Sequence, residues 1–117
     1  MVNFILCDDN EHIRKLNEAI ISKIVMPYDF DYEIHSFDKY NMKLKNLINE
    51  PKDFKIYILD LEMPGKSGLE IAKEIRKVDW DSIIMILTSH DELELSILKQ
   101  KLLILDFVSK FDNYEER

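Results

Sequence analysis

The sequence predicts a doubly wound α/β fold built on a five-stranded parallel sheet. Short apolar runs alternate along the chain with stretches in which apolar residues recur every three or four positions, the pattern of alternating strands and amphipathic helices. The run Ser82–Thr88 (SIIMILT) is almost continuously apolar, as a central parallel strand covered on both faces should be. Such alternation gives right-handed strand–helix–strand units, and therefore one parallel sheet with helices on both sides.

The first strand–helix pair occupies the N-terminal part of the chain. Residues Met1–Cys7 are mostly apolar and end at an acidic pair, which is typical of a buried strand that runs into a loop. A helix follows from Glu11 and ends before Pro27, because proline disfavours the helical conformation in the residue that precedes it. The apolar face of this helix is predicted to contain Ile13, Leu16, Ile20 and Ile24.

The next two pairs follow the same pattern. Tyr32–Phe37 is predicted as a strand, with Asp38 as the N-cap of the helix after it. The inward face of that helix is predicted to contain Tyr40, Leu44, Leu47 and Ile48. Phe54–Leu61 is a third strand, and the spacing of Ser67 and Glu70 predicts a capping box at the start of a third helix.

The last part of the chain completes the pattern. After the strand over Ser82–Thr88, Asp91 is predicted to cap a fourth helix, and Asp106–Ser109 (DFVS) forms a short fifth strand before Lys110. Only residues 111–117 (FDNYEER) remain, so a fifth helix is expected to be truncated.

Composition limits the function classes. A chain of 117 residues fits one domain with a single core. The formal charge of −7, from 16 Lys and Arg against 23 Asp and Glu, argues against direct binding to nucleic acid or to anionic membranes. Cys7 is the one cysteine, which excludes an internal disulfide, and no apolar run is long enough for a signal peptide or a membrane span. We therefore expect a cytoplasmic location.

Polar residues stand at the carboxyl ends of four predicted strands. Asp8 and Asp9 follow the first strand, Asp60 lies at the end of the third, Thr88 ends the fourth and Lys110 follows the fifth. In a flavodoxin-like sheet of order 2-1-3-4-5, the first and third strands are neighbours and ligands bind beyond the carboxyl ends. These side chains are therefore predicted to converge.

Such a cluster suits phosphoryl transfer. Three carboxylates at close range repel one another, and Mg²⁺ together with a lysine would balance their charge. Aspartate is a known covalent acceptor of phosphoryl groups, so Asp60 is predicted to attack, Asp8 and Asp9 to hold Mg²⁺, and Thr88 and Lys110 to hold phosphoryl oxygens. A glycine-rich nucleotide loop is missing from the sequence, so the phosphodonor is expected to be another protein or a small molecule.

Four segments, ILCDDN, YILDLEMPGKSGLE, ILTSH and DFVSK, resemble the signature blocks of response regulator receiver domains of the CheY-like superfamily. The resemblance implies two-component signal transduction, with phosphorylation by a sensor histidine kinase rather than turnover of a substrate. The roles it implies are an acidic pair (Asp8, Asp9), a phosphoacceptor (Asp60), a metal ligand through a backbone carbonyl (Glu62), switch residues (Thr88, Phe107) and a phosphate-binding lysine (Lys110).

The variants CDDN, TSH and DFVSK look most like LytTR-type regulators of peptide quorum sensing, similar to the accessory gene regulator family. This resemblance implies a C-terminal DNA-binding effector domain outside residues 1–117. DNA would be bound only by that domain. The resemblance to receiver domains implies that the face formed by the fourth helix, fifth strand and fifth helix either forms a homodimer or releases an effector domain.

Two other functions are compatible with the same residues. A small Mg²⁺-dependent phosphohydrolase of the haloacid dehalogenase kind also uses an aspartate nucleophile, although its nucleophile normally lies on the first strand in a DxDxT/V pattern. A degenerate receiver could serve only as a dimerisation module, although its acidic, threonine and lysine residues would then be unnecessary. Cys7 lies within a predicted buried strand, so packing is favoured over a redox role.

Overall fold

A computed structural model describes residues 1–51, 53–88 and 104–109 of the chain. Within these ranges the strands are β1 (Val2–Cys7), β2 (Tyr32–Phe37), β3 (Phe54–Asp60), β4 (Ile83–Thr88) and β5 (Ile104–Ser109). The helices are α1 (Glu11–Val25), α2 (Met42–Asn49) and α3 (Gly68–Arg76). The predicted fourth helix that begins near Asp91, and the truncated fifth helix, lie outside the described residues.

The five strands form one parallel sheet in the order β2-β1-β3-β4-β5. This arrangement confirms the predicted fold class and strand order. Cys7 pairs with Leu59, so the residues that follow them, Asp8 and Asp60, come at the same edge of the sheet. The topology alone therefore brings the ends of the first and third strands together.

The core lies on both faces of the sheet because successive side chains of a strand point to opposite sides. One face packs against α2 and α3, where Leu44, Ile48, Ile71 and Ile75 are almost completely buried. On the other face, Phe4 and Leu6 pack against Ile21 and Val25 of α1. Each large aliphatic side chain removed from water contributes about 1.5–3 kcal/mol, so these contacts supply much of the stability.

The buried face of α1 differs from the predicted one. Asn17, Ile21 and Val25 are its buried residues, whereas Ile24, which was predicted to lie inward, is 52% exposed. The remaining residues predicted for this face are all partly buried, namely Ile13, Leu16 and Ile20. The sequence offers two adjacent apolar stripes one residue apart, and the contact of Ile21 and Val25 with the sheet decides between them.

The start of α2 also differs from the prediction. The N-cap is Asn41, whose side chain accepts a hydrogen bond from the Leu44 N–H, so the predicted cap Asp38 is wrong. Asp38 belongs instead to the connection that brings Tyr40 towards α3. The capping box of α3 is confirmed, because Ser67 accepts from the Glu70 N–H and Glu70 accepts from the Ser67 N–H.

Tyr57 is a polar residue buried in the middle of the sheet. The side chain is 0% exposed, and its hydroxyl has no hydrogen-bond partner within the part of the chain that the structure describes. Burial raises the pKa of Tyr57, with a further contribution from the charge of Asp79. An unsatisfied buried hydroxyl costs stability because it has lost its bonds to water.

We therefore expect Tyr57→Phe to raise the free energy of unfolding by about 1 kcal/mol, because the ring stays and only the hydroxyl is removed. Urea unfolding of both proteins, followed by circular dichroism, measures this difference. A fall of the same size would show that the hydroxyl is hydrogen-bonded in solution, contrary to this account.

None of the helices that the structure describes is long and apolar enough to cross a membrane.

Candidate functional site

Three carboxylates meet at the carboxyl edge of the sheet. One carboxylate oxygen from each of Asp8, Asp9 and Asp60 lies within 4.8 Å of the other two. Asp8 and Asp60 are only 1% and 3% exposed, whereas Asp9 is exposed. The structure thus brings together the three acidic residues that the sequence singles out, with one of them open to solvent.

The loop from β1 to α1 holds Asp8 through its backbone and its side chain. The Asp8 N–H donates to the Phe37 carbonyl at 3.0 Å, and the Asp8 carbonyl accepts from Arg14 Nη1 at 2.8 Å. Asp8 Oδ1 accepts from the Asn10 N–H at 2.9 Å, and Asn10 in turn caps α1 by accepting from the Ile13 N–H at 3.2 Å. A rigid helix start therefore fixes the position of this acid.

The loop after β3 holds Asp60. Asp60 Oδ1 accepts a hydrogen bond from the Glu62 N–H at 3.2 Å, which orients the carboxylate. The Leu61 N–H donates to the Leu87 carbonyl at 2.9 Å, so pairing with β4 continues one residue beyond the end of β3. The Glu62 side chain is exposed, and the backbone N–H of this residue contacts the Asp60 carboxylate.

Gly68 allows α3 to begin close to Asp60. A Cβ atom at position 68 would lie 2.5 Å from the Asp60 carbonyl oxygen and 3.1 Å from the Leu61 Cα. The Gly68 N–H also donates to the Leu61 carbonyl at 3.0 Å, closing the loop on itself. Residue 68 therefore sets the distance between the first turn of α3 and the backbone of Asp60.

The donors of this cluster fit a hard divalent cation. Carboxylate oxygens are the ligands that Mg²⁺ prefers, whereas zinc sites usually contain nitrogen or sulfur. Three carboxylates at this distance repel one another, and a divalent cation bound between them would offset that repulsion. The residues present could therefore hold Mg²⁺, with Asp8, Asp9, Asp60 and the Glu62 carbonyl as predicted protein ligands.

The structure describes only part of the other predicted site residues, which are Thr88, Phe107 and Lys110. Thr88 is the last residue of β4 and follows Leu87, which pairs with Asp60. Thr88 itself pairs with Ser109 at the end of β5. Phe107 lies in β5 opposite Ile86. Lys110 lies outside the described residues, as does the region of the predicted fourth helix.

Sequence reasoning missed two residues that support the site. Asn10 caps α1 beside the acidic pair, and Arg14 reaches back from that helix to the Asp8 carbonyl. A short polar residue directly before the helical pattern was the available signal for Asn10.

Cys7 is buried, and burial together with the neighbouring Asp8 raises its pKa to about 12, which agrees with the predicted packing role.

Comparison with known proteins identifies the family to which the chain belongs. The model of the response regulator receiver domain family matches residues 4–116, almost the whole chain. The chain belongs to this family. It is therefore a receiver domain of the kind that response regulators carry in two-component systems.

The curated relatives confirm the predicted resemblance to the accessory gene regulator family. Accessory gene regulator protein A of Staphylococcus epidermidis is 28% identical over 111 residues, which cover 94% of this chain and 47% of the relative. The Staphylococcus aureus protein is 27% identical over 113 residues, covering 96% and 48%. The receiver chain thus spans about half the length of these relatives, at 47% and 48%.

Solved structures agree on the fold. The non-phosphorylated HemR receiver domain from Leptospira biflexa superposes with a TM-score of 0.78 at 18% identity, covering 99% of this chain and 87% of that one. The response regulator TrrA from Thermotoga maritima, solved in complex with Mg²⁺ and beryllium fluoride, is 31% identical with a TM-score of 0.69, covering 99% and 92%.

Proposed function

We propose that this receiver domain accepts one phosphoryl group on Asp60 from a sensor histidine kinase and thereby switches a surface that controls a transcriptional effector domain. The observation that carries the proposal is the convergence of Asp8, Asp9 and Asp60, whose carboxylate oxygens lie within 4.8 Å of one another. Asp60 is the acid at the end of the central strand β3, between β1 and β4.

The reaction is an in-line displacement at phosphorus. A carboxylate oxygen of Asp60 forms the new O–P bond while the P–N bond of the kinase phosphohistidine breaks, and the electron pair of that bond stays on the histidine nitrogen. Mg²⁺, when held by the acidic cluster, would neutralise negative charge on the phosphoryl oxygens. The Glu62 N–H holds Asp60 Oδ1, so the nucleophile is oriented before the donor arrives.

Thr88 and Lys110 complete the proposed site. Thr88 ends the strand next to β3, at the edge that carries the acids, and Lys110 is the residue that follows β5 in the sequence. Their hydroxyl and ammonium groups bind the phosphoryl oxygens, and movement of Thr88 shifts Phe107 between two arrangements. Changes in this region would alter a homodimer face formed by the fourth helix, β5 and the fifth helix.

The effector is proposed to be a C-terminal DNA-binding domain. The chain covers 47% of the accessory gene regulator protein A of Staphylococcus epidermidis, so the relative has a comparable length beyond the receiver domain. The net charge of −7 argues against DNA binding by residues 1–117 themselves. Contact with DNA is therefore assigned to the other domain.

Incubation with Mg²⁺ and acetyl phosphate tests the function. We expect intact-mass spectrometry to show one added phosphoryl group per chain. After the donor is removed, this group should be lost slowly until none remains. Steady hydrolysis of a phosphate ester over many equivalents would instead support the phosphohydrolase alternative. Absence of any adduct with acetyl phosphate and with beryllium fluoride would support the degenerate receiver.

The metal assignment predicts a specific loss. Asp9→Asn removes one exposed carboxylate of the cluster while keeping the size of the side chain, and should weaken Mg²⁺ binding by at least about 10-fold. Isothermal calorimetry with MgCl₂ measures the affinity. Asp29→Asn is the matched control, since Asp29 is an exposed acid in the connection before β2, at the opposite edge of the sheet. Equal affinities in all three proteins would contradict the assignment.

A further inference from the structure

Three side chains from separate segments form a hydrogen-bonded cluster outside the acidic site. Tyr40 donates its hydroxyl to Glu74 Oε2 at 2.5 Å, and Lys66 Nζ donates to Glu74 Oε1 at 2.8 Å. The Lys66 ammonium also lies 4.3 Å from the centre of the Tyr40 ring, within the range of a cation–π contact. Each member therefore contacts the other two, and we call them the Tyr40–Lys66–Glu74 cluster.

The cluster joins the loop after Asp60 to the body of the domain. Lys66 belongs to residues 61–67, the connection between β3 and α3. Glu74 belongs to α3, and Tyr40 to the connection between β2 and α2. The same loop carries Glu62, whose N–H holds the Asp60 carboxylate. A contact at Lys66 therefore constrains a loop that begins at the phosphoacceptor.

The charges of the cluster are stable near neutral pH. Burial alone would raise the pKa of Glu74, but the hydrogen bonds from Lys66 and Tyr40 outweigh it and lower that pKa below the ordinary value. The hydrogen bond to Glu74 raises the pKa of Lys66. Burial, and then the hydrogen bond to Glu74, raise the pKa of Tyr40. The ion pair and the neutral phenol thus persist under ordinary conditions.

The tip of the loop between β3 and α3 is exposed, whereas Leu61 and Met63 before it are buried in the core. Pro64 and Gly65 are exposed, and Gly65 has a φ of 83°, so the chain reverses there through a left-handed conformation. Met63 is buried on one side of this turn, and Lys66 follows on the other. The cluster therefore holds the side of the loop that leads into α3.

We propose that the Tyr40–Lys66–Glu74 cluster positions the loop after Asp60 so that the Glu62 carbonyl can serve as a ligand of Mg²⁺. The proposal rests on the function proposed above. It assigns a role in the metal site to three residues that lie outside that site. Mg²⁺ requires nearly ideal octahedral geometry, so a loop free to move would present its carbonyl less effectively. Lys66, Glu74 and Tyr40 are thus positioning residues, not ligands.

The direction in which the Mg²⁺ affinity changes distinguishes a positioning role from a simple effect of charge. Lys66→Met removes a positive charge from the loop that carries Glu62, and the more negative charge of the chain would by itself make Mg²⁺ bind more tightly. Loss of positioning would make it bind more weakly. Tyr40→Phe changes no charge and keeps the ring, so only loss of the hydrogen bond to Glu74 can act in that variant.

The experiment measures the initial rate of phosphorylation by acetyl phosphate as a function of Mg²⁺ concentration. For Tyr40→Phe and Lys66→Met we expect the half-saturating Mg²⁺ concentration to rise by about 10-fold, the lower end of what residues supporting metal ligands contribute. The maximal rate should stay within about 2-fold of wild type, because Asp60 itself is unchanged. Calorimetric titration with MgCl₂ should show the same shift without any phosphodonor.

Two variants serve as controls. Lys66→Arg keeps a cationic donor for Glu74 and should restore wild-type Mg²⁺ dependence, which a general loss of stability would not explain. Lys73→Met removes an exposed lysine from α3, one residue from Glu74, and should have no effect. Circular dichroism of each variant verifies the native fold.

Unchanged Mg²⁺ dependence in Tyr40→Phe and Lys66→Met, or tighter binding in Lys66→Met, would overturn the proposal. Failure of the wild-type protein to accept a phosphoryl group would instead refute the proposed function. In that case the calorimetric titration still decides whether the cluster supports a metal site.

Discussion

Asp60→Asn is expected to abolish phosphorylation by acetyl phosphate. The amide has nearly the same shape as the carboxylate, and its carbonyl oxygen can still accept the hydrogen bond from the Glu62 N–H. It lacks the anionic oxygen that attacks phosphorus, so the chemical step fails although the fold is kept. The measurement is the mass of the intact protein after incubation with donor and Mg²⁺, which should show no adduct.

The control for this variant is Asp81→Asn. Asp81 is an exposed acid that precedes β4 at the opposite edge of the sheet, so its replacement makes the same change of charge far from the site. We expect this protein to be phosphorylated like wild type. An adduct on Asp60→Asn at the wild-type rate would mean that another residue is the acceptor.

Gly68→Ala is expected to lower both stability and activity. Its Cβ would lie 2.5 Å from the Asp60 carbonyl oxygen and 3.0 Å from the Asp60 carbonyl carbon, and both atoms belong to backbone that is paired in the sheet. The first turn of α3 must therefore move away, which weakens the hydrogen bond from the Gly68 N–H to Leu61. We expect the free energy of unfolding to fall by about 1–3 kcal/mol.

The sign of the Gly68→Ala effect is informative in itself. In an ordinary helix alanine is more favourable than glycine by about 0.5–1 kcal/mol, so without a steric conflict this substitution would stabilise the protein. Urea unfolding gives the stability, and the phosphorylation rate of the folded variant reports the displacement of Asp60. A more stable protein with wild-type activity would contradict the close approach at Asp60.

The location of the site follows from sequence because strand ends are easy to recognise. Abrupt changes from apolar to acidic residues mark Asp8, Asp9 and Asp60, and parallel topology brings those ends to one edge. The start of α3 was also predictable from the sequence, since the capping box of Ser67 and Glu70 is a local signal that needs no tertiary contact.

Features that depend on tertiary contacts could not be predicted in the same way. Ile24 and Val25 are adjacent apolar residues, and only contact with the sheet shows that Val25 is the buried one. Asp38 and Asn41 are both plausible caps for α2, and the path of the preceding connection selects Asn41. The contact between Arg14 and the Asp8 carbonyl likewise depends on how the loop after β1 folds back on α1.

The most direct test of the central claim is to locate the phosphoryl group on the chain. Borohydride reduces an aspartyl phosphate to homoserine, and digestion with trypsin releases residues 56–66 (IYILDLEMPGK) as one peptide. We predict that the phosphorylated wild-type protein, and not the untreated one, yields this peptide with homoserine at position 60. Reduction at Asp8, Asp9 or Glu62, or none in a protein that carries a phosphoryl group, would contradict the assignment of Asp60.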